Sequence, residues 1–149
     1  MIDLDNVNMW LAVAAKYAGI SIDRKLKPEG LGASLYYFIL KIHDHDGISQ
    51  LELGEYIYLD QSGIARGIQQ LVELGYVDKI RNQKDKRTSN LYLTQAGKDI
   101  YSQIYDKVNQ QNELLIKNVP VEQREQFEQN LQIVGQTIFN ELQPGKSGK

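Results

Sequence analysis

Five cations crowd one short stretch of this chain: Lys79, Arg81, Lys84, Lys86 and Arg87 lie between Val77 and Leu93, against only Asp78 and Asp85. Lysine and arginine at this density suit phosphate contacts. Arg87 adds a planar guanidinium that can enter a narrow minor groove or clamp a phosphate, and Asp85 two positions earlier can orient that fork. The competing reading is a local ion pair that only shapes the turn. Upstream, Ser62, Arg66 and Gln69 stand at four- and three-residue spacing, so a helix would bring them onto one face. There arginine can donate two parallel hydrogen bonds to guanine, glutamine can pair with adenine, and the serine hydroxyl can reach a phosphate or base edge. Gln61 and Gln70 sit at the edge of that face. The plainer alternative is an exposed polar face with Arg66 tied to an acidic neighbour.

Other chemistry is weaker. His43-Asp44-His45-Asp46 offers metal-ligand types, but only His43 and Asp46 have helix spacing, and a helix-end histidine on the terminal carbonyls explains the run without a metal. No phosphate-binding glycine loop, serine elbow or metalloprotease His-Glu pattern occurs, so no enzyme activity, metal or cofactor is expected. The chain has no cysteine, which excludes disulfides and thiolate sites. Its formal net charge of -2 argues at first against a polyanionic partner. The local excess of three positive charges in the 77–93 segment reverses that argument, because basic character is concentrated in one element. No window approaches the roughly 18 apolar residues of a membrane span, and the acidic start lacks the positive region of a secretion signal; a cytoplasmic protein without membrane contact is expected.

The elements that must position these residues follow from periodicity. At 149 residues one domain is expected. Leu4, Val7, Leu11, Ala14 and Ala18, widened by Trp10, predict a helix over about 3–18, with a loop or frayed extension through Gly19 to Lys27. Leu35, Phe38, Ile39 and Ile42 predict a second helix ending near Asp46-Gly47. Ser49 and Glu52 have capping-box spacing and open a short third helix. A turn at 59–61 leads to a fourth helix over about 61–74, with Ile64, Ile68, Leu71 and Leu74 inward and Gly75 closing it. Val77 and Ile80, then Leu91 and Leu93, flank a polar tip over 82–90 as in a two-stranded hairpin. Thr94 caps a long helix carrying Ala96, Ile100, Ile104, Val108 and Leu115. The Asn118-Val-Pro120 break separates it from a last helix carrying Phe127, Leu131, Val134, Ile138 and Leu142. Periodicity thus gives a mainly α fold with a small β-hairpin wing beside a helix-turn-helix.

Gly47-Ile48-Ser49, Leu53, Leu59-Asp60-Gln61-Ser62, the exit from Leu71 through Gly75 to Val77, the Asp85-Lys86-Arg87 wing signature and Leu93-Thr94-Gln95-Ala96-Gly97 together resemble the MarR family of winged-helix regulators. The order of elements agrees over about Leu4 to Leu142. Gly63 and Ala65 occupy places where that family usually has hydroxyl residues or proline, Gly54 replaces an alanine, and Lys79 an arginine. The resemblance implies a winged helix-turn-helix fused to a helical dimerisation region, in a homodimer whose first and last helices intertwine, binding double-stranded DNA at a near-palindromic operator. In that picture residues 1–30 and 118–142 form the dimerisation region, 47–93 the DNA-binding lobe, 94–117 the connecting helix and 143–149 a flexible tail.

Leu4, Val7, Trp10, Leu11, Val134, Ile138 and Leu142 are the candidate dimer contacts, with ordinary core packing as the alternative. Tyr17, Tyr36, Tyr37, Tyr56 and Tyr58 are candidates for the pocket of a small aromatic or amphipathic effector that the resemblance implies; core-completing tyrosines are the alternative. The expected function is a ligand-responsive transcriptional regulator, a repressor in the leading reading. A ligand-independent activator or architectural regulator, and a winged-helix protein-interaction module, are the competitors.

Overall fold

The computed structural model describes residues 6–32 and 35–143, and these divide into two compact units after Gln111. In chain order the elements are α1 (Val7–Leu26), a 3-10 turn (Lys27–Glu29), α2 (Leu35–Asp44), α3 (Gln50–Ile57), α4 (Gln61–Glu73), β1 (Val77–Arg81), β2 (Ser89–Leu93), α5 (Gln95–Ile116), a second 3-10 turn (Val121–Gln123) and α6 (Arg124–Leu142). The predicted mainly helical fold with a hairpin wing is what the chain adopts. Leu4 and the 144–149 end lie outside the described residues.

Helix α1 runs eight residues beyond the predicted Ala18 boundary. Its apolar spacing continues through Ile22 and Leu26, both buried. Burial of that continuing stripe outweighs the roughly 1 kcal/mol propensity cost of Gly19 inside the helix. Pro28 at the start of the 3-10 turn and Gly30 at φ 73° then end the run.

The core of the first unit is built by the end of α1, by α2, α3, α4 and the hairpin, and by the first half of α5. Ile39, Ile42, Leu53, Ile64, Leu71, Leu91 and Ile104 are fully buried. Each local signal feeds this core. Ser49 and Glu52 form both hydrogen bonds of the capping box that opens α3. Asp60 caps α4 by accepting from the Gly63 N–H at 2.7 Å. Inside α4, Gly67 permits what no larger residue would: a Cβ there would lie 2.4 Å from Cζ of buried Phe38. The ring of α2 rests directly on the α4 backbone, and this contact accounts for a glycine in mid-helix.

Leu74 departs from expectation. It is the C-terminal cap of α4, beyond the last regular turn, and stays 43% exposed, its Cδ2 lying 3.6 Å from the position of a Cβ on Gly30. Gly75 follows at φ 81° and turns the chain into β1. The hairpin pairs Val77 with Leu93 through Arg81 with Ser89, so its loop covers 82–88, slightly shorter than predicted. Ile80 on β1 and Ala96 and Leu115 on α5 are exposed; the faces of α5 that enter the core carry Gly97, Ile100 and Ile104.

The second unit contains the end of α5, the 3-10 turn and α6. Pro120 precedes the turn, and Arg124 closes the bend by donating from Nε to the Val119 carbonyl at 2.9 Å. No residue of α6 is buried, leaving Phe127, Leu131, Ile138 and Leu142 more than 40% exposed.

Candidate nucleic-acid interface

Amphipathicity separates the two faces of α4. Ile64, Gly67, Ile68 and Leu71 turn inward, while Ser62, Arg66, Gln69 and Gln70 are exposed. The predicted outward grouping of Ser62, Arg66 and Gln69 is therefore present. Arg66 forms no ion pair among the described residues, and its Nη2 lies 4.0 Å from the place a Cβ would occupy on Gly63. The guanidinium thus folds back along the first turn of the helix, over the spot left bare by glycine. Gln69 donates from Nε2 to Glu73 at 3.3 Å, which leaves its Oε1 as an outward acceptor. The Ser62 hydroxyl lies 3.5 Å from the capping oxygen of Asp60. Gln61 is drawn the other way: its amide nitrogen covers Gly54 of α3, 2.7 Å from where a Cβ would stand.

The wing tip is ordered by its own side chains. Oδ1 of Asp85 accepts both the backbone N–H and the Nε–H of Arg87, each at 3.1 Å. The Arg87 side chain is nevertheless 92% exposed, so its terminal nitrogens project into solvent from a fixed base. The Arg87 guanidinium, and then its backbone N–H, hold the Asp85 carboxyl below the usual carboxylate range. Lys79, Lys84 and Lys86 are exposed as well. Arg81 is engaged differently: its Nε donates to the Lys86 carbonyl at 2.9 Å, bracing the tip from the end of β1.

Two asparagines that sequence reading treated as generic tip residues hold the loop together. Oδ1 of Asn82 accepts the N–H groups of Lys84 at 2.8 Å and Asp85 at 3.0 Å, and its Nδ2 donates to Asn90 Oδ1 at 3.0 Å. Asn90 in turn donates to the Gly47 carbonyl at 2.8 Å. Asparagine clusters around a turn are a visible signal, but their partners 8 and 43 residues away are not. At the other end of the hairpin, Thr94 caps α5 by accepting from Gly97 N–H at 3.0 Å and donates its own hydroxyl proton to the Gly75 carbonyl at 2.6 Å.

Of the five candidate effector tyrosines, Tyr36 and Tyr37 adjoin one another. Tyr36 is buried with its ring 4.1 Å from that of Tyr37, and burial, reinforced by Tyr37 and Asp23, pushes its phenol well up. Tyr17 is exposed with Lys16 Nζ 5.5 Å from its ring. Tyr58 ends α3 in the left-handed region at φ 56°. Tyr56 stacks on His45 at 4.4 Å and lines a cavity of about 710 Å³ with Asp46, Gly47, Glu52 and Glu55. A second cavity of about 470 Å³ is bounded by His43, Asp46, Leu93, Lys98, Tyr101 and Ser102.

His43 does not use the helix-end carbonyls as its described partners. Its Nδ1 meets Asp44 Oδ1 at 3.3 Å and its ring stacks 3.5 Å from Tyr101. Burial, then Asp44 and Tyr105, raise the Tyr101 phenol. Among the described residues no three His, Cys, Asp or Glu side chains converge as a metal would require, and no helix is long and apolar enough to cross a membrane.

Of the candidate dimer contacts, Val7, Trp10, Ile138 and Leu142 are each more than half exposed, and Leu11 and Val134 are half-buried.

Comparison with known proteins agrees with this architecture. The MarR family model matches residues 30–88, from Gly30 through the wing tip. The chain is 28% identical over 113 residues to the HTH-type transcriptional regulator BilQ of Clostridium symbiosum (strain WAL-14163), covering 76% of this chain and 78% of that one. Its fold is similar to the crystal structure of a MarR transcriptional regulator from Methanosarcina mazei Go1, with a TM-score of 0.78, 29% identity, and coverage of 87% of this chain and 94% of that one. It is also similar in fold to a mutant MarR from E. coli crystallised with operator DNA, with a TM-score of 0.79, 24% identity, and coverage of 89% and 99%.

Proposed function

We propose that this chain, which is similar to the MarR family over residues 30–88 and shares the fold of MarR regulators, is a homodimeric, sequence-specific binder of double-stranded DNA that represses transcription and is released by a small ligand. The observation that carries the DNA reading is the pairing of two unlike exposed surfaces on one core. The outward face of α4 presents Arg66 beside Ser62 and Gln69, and the wing presents Arg87 from a base clamped by Asp85. The helix supplies base-edge contacts in a major groove, and the wing supplies cationic contacts to the adjoining backbone or minor groove. The E. coli relative crystallised with operator DNA supports this assignment by analogy of fold.

Dimerisation is supported by apolar surface that one copy leaves in water. Trp10 on α1 is 57% exposed and Ile138 on α6 55% exposed, and α6 buries no residue of its own. Pairing two copies through these stripes removes that surface from solvent. Two-fold symmetry then sets two recognition helices roughly 34 Å apart, one turn of the duplex, and calls for a near-palindromic site. An effector acts on such a dimer only by favouring one arrangement of its lobes over another.

Selection from a random DNA pool, followed by titration of the enriched duplex at several salt concentrations, tests the reading. A near-palindromic consensus is expected, with affinity falling steeply as salt rises because each neutralised phosphate releases nearly one counterion. A pool without a consensus, or an affinity unchanged between low and physiological salt, overturns it.

A further inference from the structure

We infer that Asn82 and Asn90 form a hydrogen-bond relay that positions the wing tip for DNA, coupling Arg87 to the segment that begins α3; the inference rests on the DNA-binding reading. The direction of every bond in the relay is forced. The Gly47 carbonyl can only accept, so the amide nitrogen of Asn90 must face it at 2.8 Å. The carbonyl oxygen of Asn90 is thereby turned to the amide nitrogen of Asn82 at 3.0 Å. Asn82 must then direct its own oxygen into the tip, where it accepts from Lys84 N–H and Asp85 N–H. Both asparagine side chains are half-buried.

The two ends of the relay touch the parts that matter. At the tip, the backbone of Asp85 is pinned at the residue whose carboxylate clamps Arg87. At the root, Gly47 N–H donates to the Leu91 carbonyl and Leu91 N–H donates to the Ile48 carbonyl, while Asn90 bridges Ser49, the N-cap of α3. The wing is thus tied to the start of the helix-turn-helix through side chains as well as through the hairpin strands. Asn82 and Asn90 need not touch DNA; they are positioning residues that hold Arg87 where its exposed end can engage the duplex.

The test uses full-length chain and a duplex recovered from the random-pool selection on the wild type, with binding followed by fluorescence anisotropy at one salt concentration. Asn82→Ala and Arg87→Ala should each weaken binding by about tenfold, the scale of one lost charge-assisted contact. Because both act through the same guanidinium, the Asn82→Ala/Arg87→Ala double variant should be no more than about twofold weaker than Arg87→Ala alone. Combined with Arg66→Ala, on α4, the Asn82→Ala loss should instead multiply. General loss of folding would depress both combinations alike, and amide exchange supplies a direct check: the Lys84 and Asp85 N–H groups should exchange faster in Asn82→Ala.

Wild-type affinity in Asn82→Ala, or a multiplicative loss in the Asn82→Ala/Arg87→Ala variant, overturns the relay while leaving the DNA reading intact. A wild-type chain that enriches no duplex overturns both.

Discussion

Gly97 offers the sharpest test of how the wing is joined to α5. It is the third residue of that helix, and its N–H donates to the capping hydroxyl of Thr94 at 3.0 Å. A Cβ at this position would stand 2.2 Å from the Tyr76 carbonyl oxygen and 3.3 Å from Leu93 Cβ. The obstructing atom is backbone, and it cannot swing aside as a side chain would. The same carbonyl accepts the Thr94 N–H at 3.0 Å, and the Tyr76 N–H is spent on the Leu71 carbonyl at 3.0 Å. Relieving the clash needs a shift of roughly 1 Å, enough to break the Thr94 bond. Overpacking costs about 1–3 kcal/mol and the lost hydrogen bond about 1 kcal/mol. Against these, alanine regains at most about 1 kcal/mol of helix propensity.

Gly97→Ala should therefore destabilise the chain by about 2 kcal/mol, lowering Tm by about 4–8 °C for a protein of this size. Gly135→Ala is the matched control, because a Cβ at Gly135 of α6 meets no described atom within 4 Å. That variant should gain up to about 1 kcal/mol. Thermal unfolding followed by circular dichroism, at one protein concentration to hold any self-association constant, reads both. A Gly97→Ala protein that melts at or above the wild-type temperature refutes the reasoning.

Arg66→Ala should weaken specific DNA binding by about 1–3 kcal/mol, the worth of a bidentate base contact, with Tm and oligomeric state unchanged; operator affinity equal to wild type would remove Arg66 from the reading surface. Asp85 is stabilised as a carboxylate by Arg87, so its folded-state pKa lies below the unfolded value and the pairing persists until pH falls through that lowered value. Carbon-detected NMR titration should show Asp85 ionised throughout pH 5–8 and protonating below the ordinary carboxylate range, whereas titration at or above that range contradicts the clamp. Ile138→Glu, at a 55% exposed position on α6, should shift the sedimentation profile toward monomer, and an unshifted profile would take Ile138 out of the proposed interface.

Sequence alone determined whatever depends on neighbours a few residues apart. The Ser49-Glu52 capping box, the Thr94 cap, the inward stripe of α4, the turn at Gly75 and the hairpin were legible because caps, helix periodicity and turn chemistry act over one to four residues. The Asp85 clamp on Arg87, spanning two residues, belongs to the same class.

Only the tertiary structure decided what distant segments do to one another. Helix propensity disfavours glycine at 67 and 97, yet each is the place where a Phe38 ring or a Tyr76 carbonyl comes too close for any Cβ. Helix α1 outran its predicted end because burial of Ile22 and Leu26 outweighs the local cost of Gly19. Arg81 changed from a free cation to a brace, and Asn82 and Asn90 became a relay to Gly47, because hydrogen-bond partners are chosen by proximity in space. Local signals decide which elements form; the packing of those elements decides which polar groups are spent on the fold and which are left exposed.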